Sequence, residues 1–371
     1  MRIALAGGGT GGHLYPLIAV ADAIIARSKG DVELSYFGPP HELIGQFEAR
    51  NITIYSITSS KMRRYASIEN IFDIPKFIFS LFQAFVALYQ EMPDVIFSKG
   101  GPGALPVTIM ARWYMIPVVI HESDAIPGLT NTIGGRSAKK ILLAFKEAEA
   151  FFPPKKTRVV GNPVRALFTQ RPGNQTFIKE RLGFDAKIPL ILVLGGSQGS
   201  VRINTFILNN LEALLPTMQI VHQTGNDNFA EAQSIAKNNI SRIDKSLQSR
   251  YQQFAYLNVE QMKELFDAAD VIISRAGSGA IFEIAAAGKP AILMPLADSA
   301  QDHQKANAYA YANTGAASVI EEGNLTAFLV LRTIKNMFDE PGALEKIHSA
   351  TQLFFKPRAA EDIAIEVMDT A

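Results

Sequence analysis

The sequence predicts an α/β protein built from two doubly wound, Rossmann-like domains that face each other across a cleft. Three observations predict this. Apolar, strand-like runs alternate with helical patterns along the chain, which calls for parallel sheets covered on both faces. The pattern runs once, breaks in the polar stretch Gln170 to Gln175, and starts again at Leu190. Gly-rich turns follow apolar runs in both halves: Gly7 to Gly12 after Ile3–Ala6, Gly100-Gly101 after Val95–Phe97, and Gly195-Gly196 after Leu190–Leu194. Gly134-Gly135 is a fourth pair in a less clear setting. A Gly-rich turn between a parallel strand and a helix exposes backbone N–H groups at the positive end of the helix, where anions bind.

In order, the strands expected in the first half are Arg2–Ala6, Val32–Phe37, Thr53–Ile57, Val95–Ser98, Val118–His121 and Lys140–Ala144. Helical patterns fall between them at Tyr15–Arg27, His41–Arg50, Phe72–Tyr89, Ala104–Tyr114 and Gly128–Gly134. The second set of strands is Leu190–Leu194, Ile220–Gln223, Gln253–Tyr256, Val271–Ser274, Ala291–Met294 and Ala317–Ile320. Helical segments lie between these and end the chain. The expected domains are residues 1–163 and 164–354, with 355–371 packing back on the first. In such sheets, ligands bind beyond the carboxyl ends of the strands.

The bulk numbers narrow the function. A chain of 371 residues suits two domains, and a 48% hydrophobic content supplies two cores. A net charge of +1 gives no global field for nucleic acid or a membrane surface. There is no cysteine, so disulfides, thiolate metal sites and thiol nucleophiles are excluded. The apolar run at the N-terminus is too short for a secretion signal and reads as a first strand. The longest apolar stretch, Phe77 to Tyr89, falls short of the roughly 20 residues a span needs. A soluble or peripheral protein is expected.

The motifs point to phosphate and sugar chemistry. Gly7-x-Gly9-x-x-Gly12 fits the dinucleotide pattern, but the acidic residue expected at the end of the second strand is missing; Tyr36-Phe37-Gly38-Pro39 stands there. A nicotinamide enzyme is disfavoured, and no cofactor is expected. A tight turn without a ligand is the alternative for this loop. His13 follows it, at the start of a helix. A neutral imidazole there could take a proton from an attacking hydroxyl or bond a phosphate, or simply cap the helix. Ser98-Lys99-Gly100-Gly101 repeats the exposed glycines and adds a cation. His121-Glu122-Ser123-Asp124 ends a strand, as ligand contacts, a base or a hydrogen-bonded loop anchor. No Asp-x-Asp and no His-Glu-x-x-His occurs, so no metal site is expected. Gly195 to Ser200 lacks the Gly-Lys-Ser/Thr of a nucleoside triphosphatase and suits diphosphate binding better than phosphoryl transfer. Ser274 to Gly288 combines a strand end, a loop of small residues that admits a planar base, and a helix carrying Glu283, whose oxygens suit paired ribose hydroxyls. Gln304 can donate and accept, as sugar hydroxyls require.

Taken together, Gly8 to His13, His121 to Asp124, Gly161-Asn162-Pro163-Val164-Arg165, Gly195 to Gly199, the loop through Glu283 and Asp302-His303-Gln304-x-x-Asn307-Ala308 are highly specific. In order and spacing, over nearly the whole chain, they resemble the MurG family of glycosyltransferases. The resemblance implies a GT-B fold and an inverting transfer of N-acetylglucosamine. The donor it implies is UDP-N-acetylglucosamine, and the acceptor is undecaprenyl-diphospho-muramoyl-pentapeptide (lipid I), giving lipid II in peptidoglycan synthesis. It implies that Arg165 and Ser197 face the donor diphosphate. Val259 and Ser278, Gly279, Ala280, Ile281 and Phe282 would lie near uracil, Glu283 would hold ribose, and Gln304 the sugar. Thr10, Gly11, Gly12 and Asp124 would approach the donor from the first domain. Gly9 to Gly12 with Lys99, Gly100 and Gly101 would serve the acceptor diphosphate. His13 leads as general base. Many relatives carry Asn where Asp124 stands; the acid here could itself serve as base and is a second candidate. Pro102 departs from the family's usual aromatic in the acceptor loop.

The resemblance also implies a peripheral protein on the cytoplasmic side of the cell membrane, with cell-wall synthesis proteins as further partners and no nucleic acid. The aromatic helix, with Ile78, Phe79 and Phe82, and Trp113 nearby would form the membrane contact. Lys61, Arg63, Arg64 and Lys76 would meet anionic headgroups, each contributing about 1 kcal/mol. Core packing is the alternative for part of that helix. Backbone N–H groups, Ser197 and Arg165 would neutralise the leaving diphosphate without a divalent cation. The competing readings are a transferase with another lipid acceptor such as diacylglycerol, a UDP-N-acetylglucosamine 2-epimerase, and a non-catalytic sugar-nucleotide sensor.

Overall fold

The computed structural model of the chain describes residues 1–9, 11–59, 69–196, 199–297, 299 and 302–371, with the side chains of 69–72 excepted. The chain divides into two units. Met1–Arg165 and Lys356–Ala371 form the first, and Ala166–Phe355 the second.

Unit 1 runs β1 (Arg2–Ala6), α1 (Gly11–Ser28), β2 (Glu33–Gly38), α2 (Ile44–Glu48), β3 (Thr53–Ser56), α3 (Glu69–Glu91), β4 (Val95–Ser98), α4 (Ala104–Trp113), β5 (Val118–Glu122), α5 (Leu129–Gly135), β6 (Lys140–Leu143) and β7 (Thr157–Val159). Its sheet has the order β3-β2-β1-β4-β5-β6-β7 and every pairing is parallel. Ile3, Leu5, Val95 and Phe97 feed the core on one face; Ala4, Ala6, Ile96 and Ile120 feed the core on the other. That two-sided burial is why these strands read as continuous apolar runs. Strand order reverses between β1 and β4, which is where a doubly wound sheet opens a crevice.

Unit 2 runs α6 (Gln175–Arg181), β8 (Leu190–Leu194), α7 (Val201–Asn209), α8 (Leu211–Leu214), β9 (Gln219–Gln223), α9 (Phe229–Ile240), α10 (Lys245–Gln248), β10 (Tyr251–Phe254), α11 (Val259–Ala268), β11 (Val271–Ser274), α12 (Ser278–Ala287), β12 (Ala291–Leu293), α13 (His303–Ala312), β13 (Ala317–Val319), α14 (Ala327–Asp339) and α15 (Ala343–Phe354). Its parallel sheet has the order β10-β9-β8-β11-β12-β13, with the reversal between β8 and β11. The last helix, α16 (Ala359–Met368), belongs to unit 1. Its Ile363, Ala364 and Val367 join the α1 side of that core. Glu366 ties it to Lys140 at 2.7 Å and to Arg158.

The two parallel α/β units are those the alternating pattern predicts, and the differences are local. The first helix starts at Gly11 rather than Tyr15. Glycine's poor helix propensity and the position of Pro16, which favours a first turn, both argue for the later start. Because the helix begins earlier, Gly11, Gly12 and His13 lie inside its first turn. Strand β7 is too short to read as a strand. Strand β10 lies two residues before the expected Gln253–Tyr256, because Tyr251 is buried in the core behind polar neighbours.

Candidate active site

In unit 1, the turns after β1, β4 and β5 meet at the carboxyl edge of the sheet, since these strands are neighbours in register, Ala6 beside Ser98 and Ser98 beside Ile120. The turn after β4 depends on Gly101. Its φ is +83°, and a Cβ there would stand 2.7 Å from the Gly8 carbonyl oxygen and 3.4 Å from His13 Nε2. The His13 ring thus lies against the Gly101 backbone, as does the Gly8 carbonyl. Thr130 Oγ1 donates to the Gly101 carbonyl at 3.1 Å, and Tyr36 Oη donates to the Gly7 carbonyl at 3.0 Å. These bonds fix the two glycine turns from outside.

The strand-end residues divide by role. Glu122 is buried and anchors its own loop: it accepts from the Asp124 N–H at 2.9 Å, the Gly128 N–H at 3.1 Å and Asn131 Nδ2 at 2.9 Å. His121 is also buried, with Nε2 2.9 Å from the Gly161 carbonyl. For these two, the loop-anchor alternative holds. Asp124, one turn further, is half-buried. Lys99 does not present its charge at the surface. It is 1% exposed, and its ammonium has no hydrogen-bond partner among the described residues.

Burial dominates the electrostatics of this cluster. It lowers the His13 imidazole from 6.5 to about 4; the Lys99 charge lowers it further and the Asp124 carboxylate raises it. The half-buried His13 is therefore neutral at pH 7 and able to accept a proton. Burial also lowers the Lys99 ammonium to about 8, against the opposing pull of Glu122 and Asp124. Burial, and next the charge on Asp124, push the Glu122 carboxyl up. Burial and then Lys99 hold His121 well below its ordinary range.

The edge of unit 2 is built differently. The turn after β8 requires Gly199: its φ is +79°, and a Cβ would stand 2.1 Å from the Thr224 carbonyl oxygen. Ser200 caps α7, its Oγ accepting from the Ile203 N–H at 3.3 Å. The same Oγ accepts from Arg275 Nη2 at 2.6 Å. Arg275, at the end of β11, also donates to the Met294 carbonyl at 3.0 Å and pairs with Glu322 at 2.5 Å. A buried guanidinium thus joins the turn after β8 to the turn after β11. Sequence reading passed over Arg275, and its position at a strand end beside the small-residue loop was the available signal. Beneath the turn, His222 bridges Asn204 Oδ1 and Tyr251 Oη, each at 3.0 Å.

The remaining expected residues fall as follows. Val259 opens α11, behind the Asn258–Gln261 capping box. Ser278, Gly279 and Ala280 form the first turn of α12, whose N-cap is Gly277. The side chains of Ile281 and Phe282 are in the core, Phe282 against Phe354 at 4.9 Å. Only their backbone can face a planar base. Glu283 is half-buried on the second turn. Gln304 accepts from the Leu296 N–H at 3.1 Å through Oε1. Arg165 belongs to unit 1, with its guanidinium 5.3 Å from the Tyr15 ring centroid. Thr10, Ser197, Lys61, Arg63 and Arg64 lie outside the described residues. On α3, Ile78, Phe79 and Phe82 are exposed, as is Trp113 at the end of α4, while Ala84, Ala87 and Leu88 are core. Among the described residues, no helix is long and apolar enough to cross a membrane.

Comparison with known proteins fixes the family. Residues 3–143 match the glycosyltransferase family 28 N-terminal domain, and residues 190–363 match the family 28 C-terminal domain. A Staphylococcus haemolyticus protein named UDP-N-acetylglucosamine--N-acetylmuramyl-(pentapeptide) pyrophosphoryl-undecaprenol N-acetylglucosamine transferase is 34% identical, over 100% of this chain and 99% of its own length. A Lachnoclostridium phytofermentans protein of the same name is 36% identical over 91% of both. The crystal structure of Acinetobacter baumannii MurG superposes with a TM-score of 0.75 at 26% identity, covering 99% of each chain. A UDP-GlcNAc 2-epimerase from Neisseria meningitidis has a TM-score of 0.67, covering 100% of each chain, but its 15% identity establishes a shared fold alone. The chain belongs to the MurG family of N-acetylglucosamine transferases.

Proposed function

We propose that the chain transfers N-acetylglucosamine from UDP-N-acetylglucosamine to lipid I with inversion at the anomeric carbon. The observation that carries the reading is the cluster at the β1/β4 edge: a neutral His13 against Gly101, beside the buried Lys99 charge and the Asp124 carboxylate. The acceptor hydroxyl oxygen bonds to the anomeric carbon while that carbon's bond to the UDP diphosphate oxygen breaks. His13 takes the hydroxyl proton, and UDP leaves with the bonding electron pair. Asp124 is the alternative base. Gly9, Thr10, Gly11, Gly12, Gly100 and Gly101 offer N–H groups to the acceptor diphosphate, with the Lys99 charge as a further contribution.

Unit 2 holds the donor in this reading. Ser197 and the start of α7 receive the diphosphate, with Arg165 as a further cation. Val259 and the first turn of α12 receive uracil, Glu283 ribose and Gln304 the sugar. N–H donors and side chains carry the developing charge, so transfer is expected to survive EDTA. Unit 1 meets the cytoplasmic face of the membrane through Ile78, Phe79, Phe82 and Trp113, with Lys76 near the headgroups.

The test is a transfer assay with labelled UDP-N-acetylglucosamine and three arms: a lipid I analogue, diacylglycerol, and no acceptor. Label should move only to the lipid I analogue. Transfer to diacylglycerol, or epimerised donor without acceptor, would replace this reading with one of its competitors.

A further inference from the structure

Beneath the turn after β8 lies a chain of buried polar groups outside the proposed donor contacts. In register, Val193 of β8 stands beside His222 of β9, and His222 beside Gln253 of β10. His222 Nε2 is 3.0 Å from Oδ1 of Asn204, on the helix α7 that follows β8. Its Nδ1 is 3.0 Å from Tyr251 Oη. Asn204 Nδ2 in turn donates to the Thr224 carbonyl at 2.8 Å. That carbonyl is the surface over which Gly199 turns, since a Cβ on Gly199 would stand 2.1 Å from its oxygen. His222, Asn204 and Thr224 are all buried. The chain has one direction. A carbonyl only accepts, so the Asn204 amide turns Nδ2 to Thr224 and Oδ1 to His222. Oδ1 only accepts as well, so His222 Nε2 carries a proton. Burial lowers the ring to about 3, so it is neutral and Nδ1 accepts from the Tyr251 hydroxyl. Gln253 Oε1, 3.2 Å from that hydroxyl, competes for its proton.

We propose that His222 is a positioning residue for the donor diphosphate: by donating from Nε2 to Asn204 it locks the amide that holds the Thr224 carbonyl against Gly199, and so sets the turn and the start of α7 where the diphosphate binds. The ring is buried, so it reaches no ligand itself and acts through Asn204. Without the Nε2 proton, the Asn204 amide is free to rotate and to drop its bond to Thr224. Asn228 Nδ2, at 3.4 Å, is too far to hold that carbonyl alone. Asn204 also belongs to the first turn of α7, where its N–H donates to the Ser200 carbonyl at 2.8 Å. One side chain therefore couples the helix start to the strand-end carbonyl. N–H groups at a helix start bind an anion only while the turn before them keeps its shape.

The proposal rests on the reading of unit 2 as the donor site and deepens it. UDP affinity is measured by calorimetry, together with kcat and the donor KM, for wild type, His222→Leu, His222→Gln and Asn204→Ser. His222→Leu fills the space without a donor. It should weaken UDP binding about tenfold and raise the donor KM to match, with kcat changed by less than about twofold. His222→Gln, whose Nε2 can still donate to Asn204, should recover most of the affinity. Asn204→Ser should match His222→Leu, and the double variant should bind no more weakly than either alone. If His222→Leu does not fold, His222→Asn replaces it, since its shorter amide keeps a partner for Tyr251 and falls short of Asn204. Nitrogen NMR of the wild-type ring should show the His222 proton on Nε2. Wild-type UDP affinity in the folded Leu or Asn variant overturns the proposal, even with a lowered unfolding midpoint, because a merely structural role acts in that way. A proton on Nδ1 overturns it too. Failure of the wild type to bind UDP would instead end the donor-site reading, and the proposal with it.

Discussion

The carboxyl edges of the two sheets have the same topology and opposite chemistry. In both units, strand order reverses beside a Gly-rich turn. In unit 2 the cation at that edge is held by several partners: Arg275 donates to Ser200 and to two carbonyl groups and pairs with Glu322. In unit 1 the cation at the edge, Lys99, is buried without a hydrogen-bond partner among the described residues, in the field of two carboxylates and beside two histidines whose values it lowers. A cation tied by several hydrogen bonds gives a rigid shape, which suits holding a ligand. An unsaturated cluster of titratable groups keeps its energy in protonation states, which suits moving a proton. The fold supplies the place, and the polar residues at the strand ends decide what each place does.

The sharpest way to break this comparison is to remove one group from each edge. His13→Ala should lower kcat about 10²- to 10⁴-fold and leave the KM for UDP-N-acetylglucosamine nearly unchanged. Steady-state kinetics decide it, and a pure KM effect would end the contrast. Arg275→Gln should destabilise the protein by about 3 kcal/mol in urea unfolding, because Glu322 is left without its cation. It should also raise the donor KM. If Glu283 holds ribose as proposed, Glu283→Gln weakens a charged hydrogen bond, and the donor KM should rise roughly tenfold with little change in kcat. Equal loss of kcat would move Glu283 into the chemistry.

The smaller effects sharpen the picture of each unit. Phe79→Ser/Phe82→Ser should reduce cosedimentation with anionic liposomes by roughly tenfold. Equal binding by the two proteins would assign the exposed face of α3 another purpose. Acid stability compares the units through histidines whose values burial lowers. Burial lowers His222 in unit 2 to about 3 and His13 in unit 1 to about 4. Both bind a proton on unfolding below their ordinary value near 6.5, when the folded protein does not. Their contribution is intact above that pH and is lost as the pH falls toward the folded values, at up to about 1.4 kcal/mol per group per pH unit. Urea midpoints should therefore drop between pH 6.5 and pH 5, and a flat profile would count against neutral burial in either unit.

The sequence by itself determined the two sheets and the turns at their edges. Apolar runs buried on both faces, and glycines where the backbone needs positive φ, are properties of short windows that a linear reading captures. It also carried the family, through motifs that sit at strand ends in order. Burial was not legible in the same way. Nothing in Ser98-Lys99-Gly100 distinguishes an exposed phosphate ligand from an ammonium 1% exposed. Nothing in His121-Glu122-Ser123-Asp124 separates two loop anchors from one half-buried carboxylate. Nor does any local pattern join Arg275 to Ser200, 75 positions away in the chain. Those outcomes depend on which strands become neighbours and which turns close over a side chain. A charge's state is set by everything packed around it, and only the tertiary structure decides that.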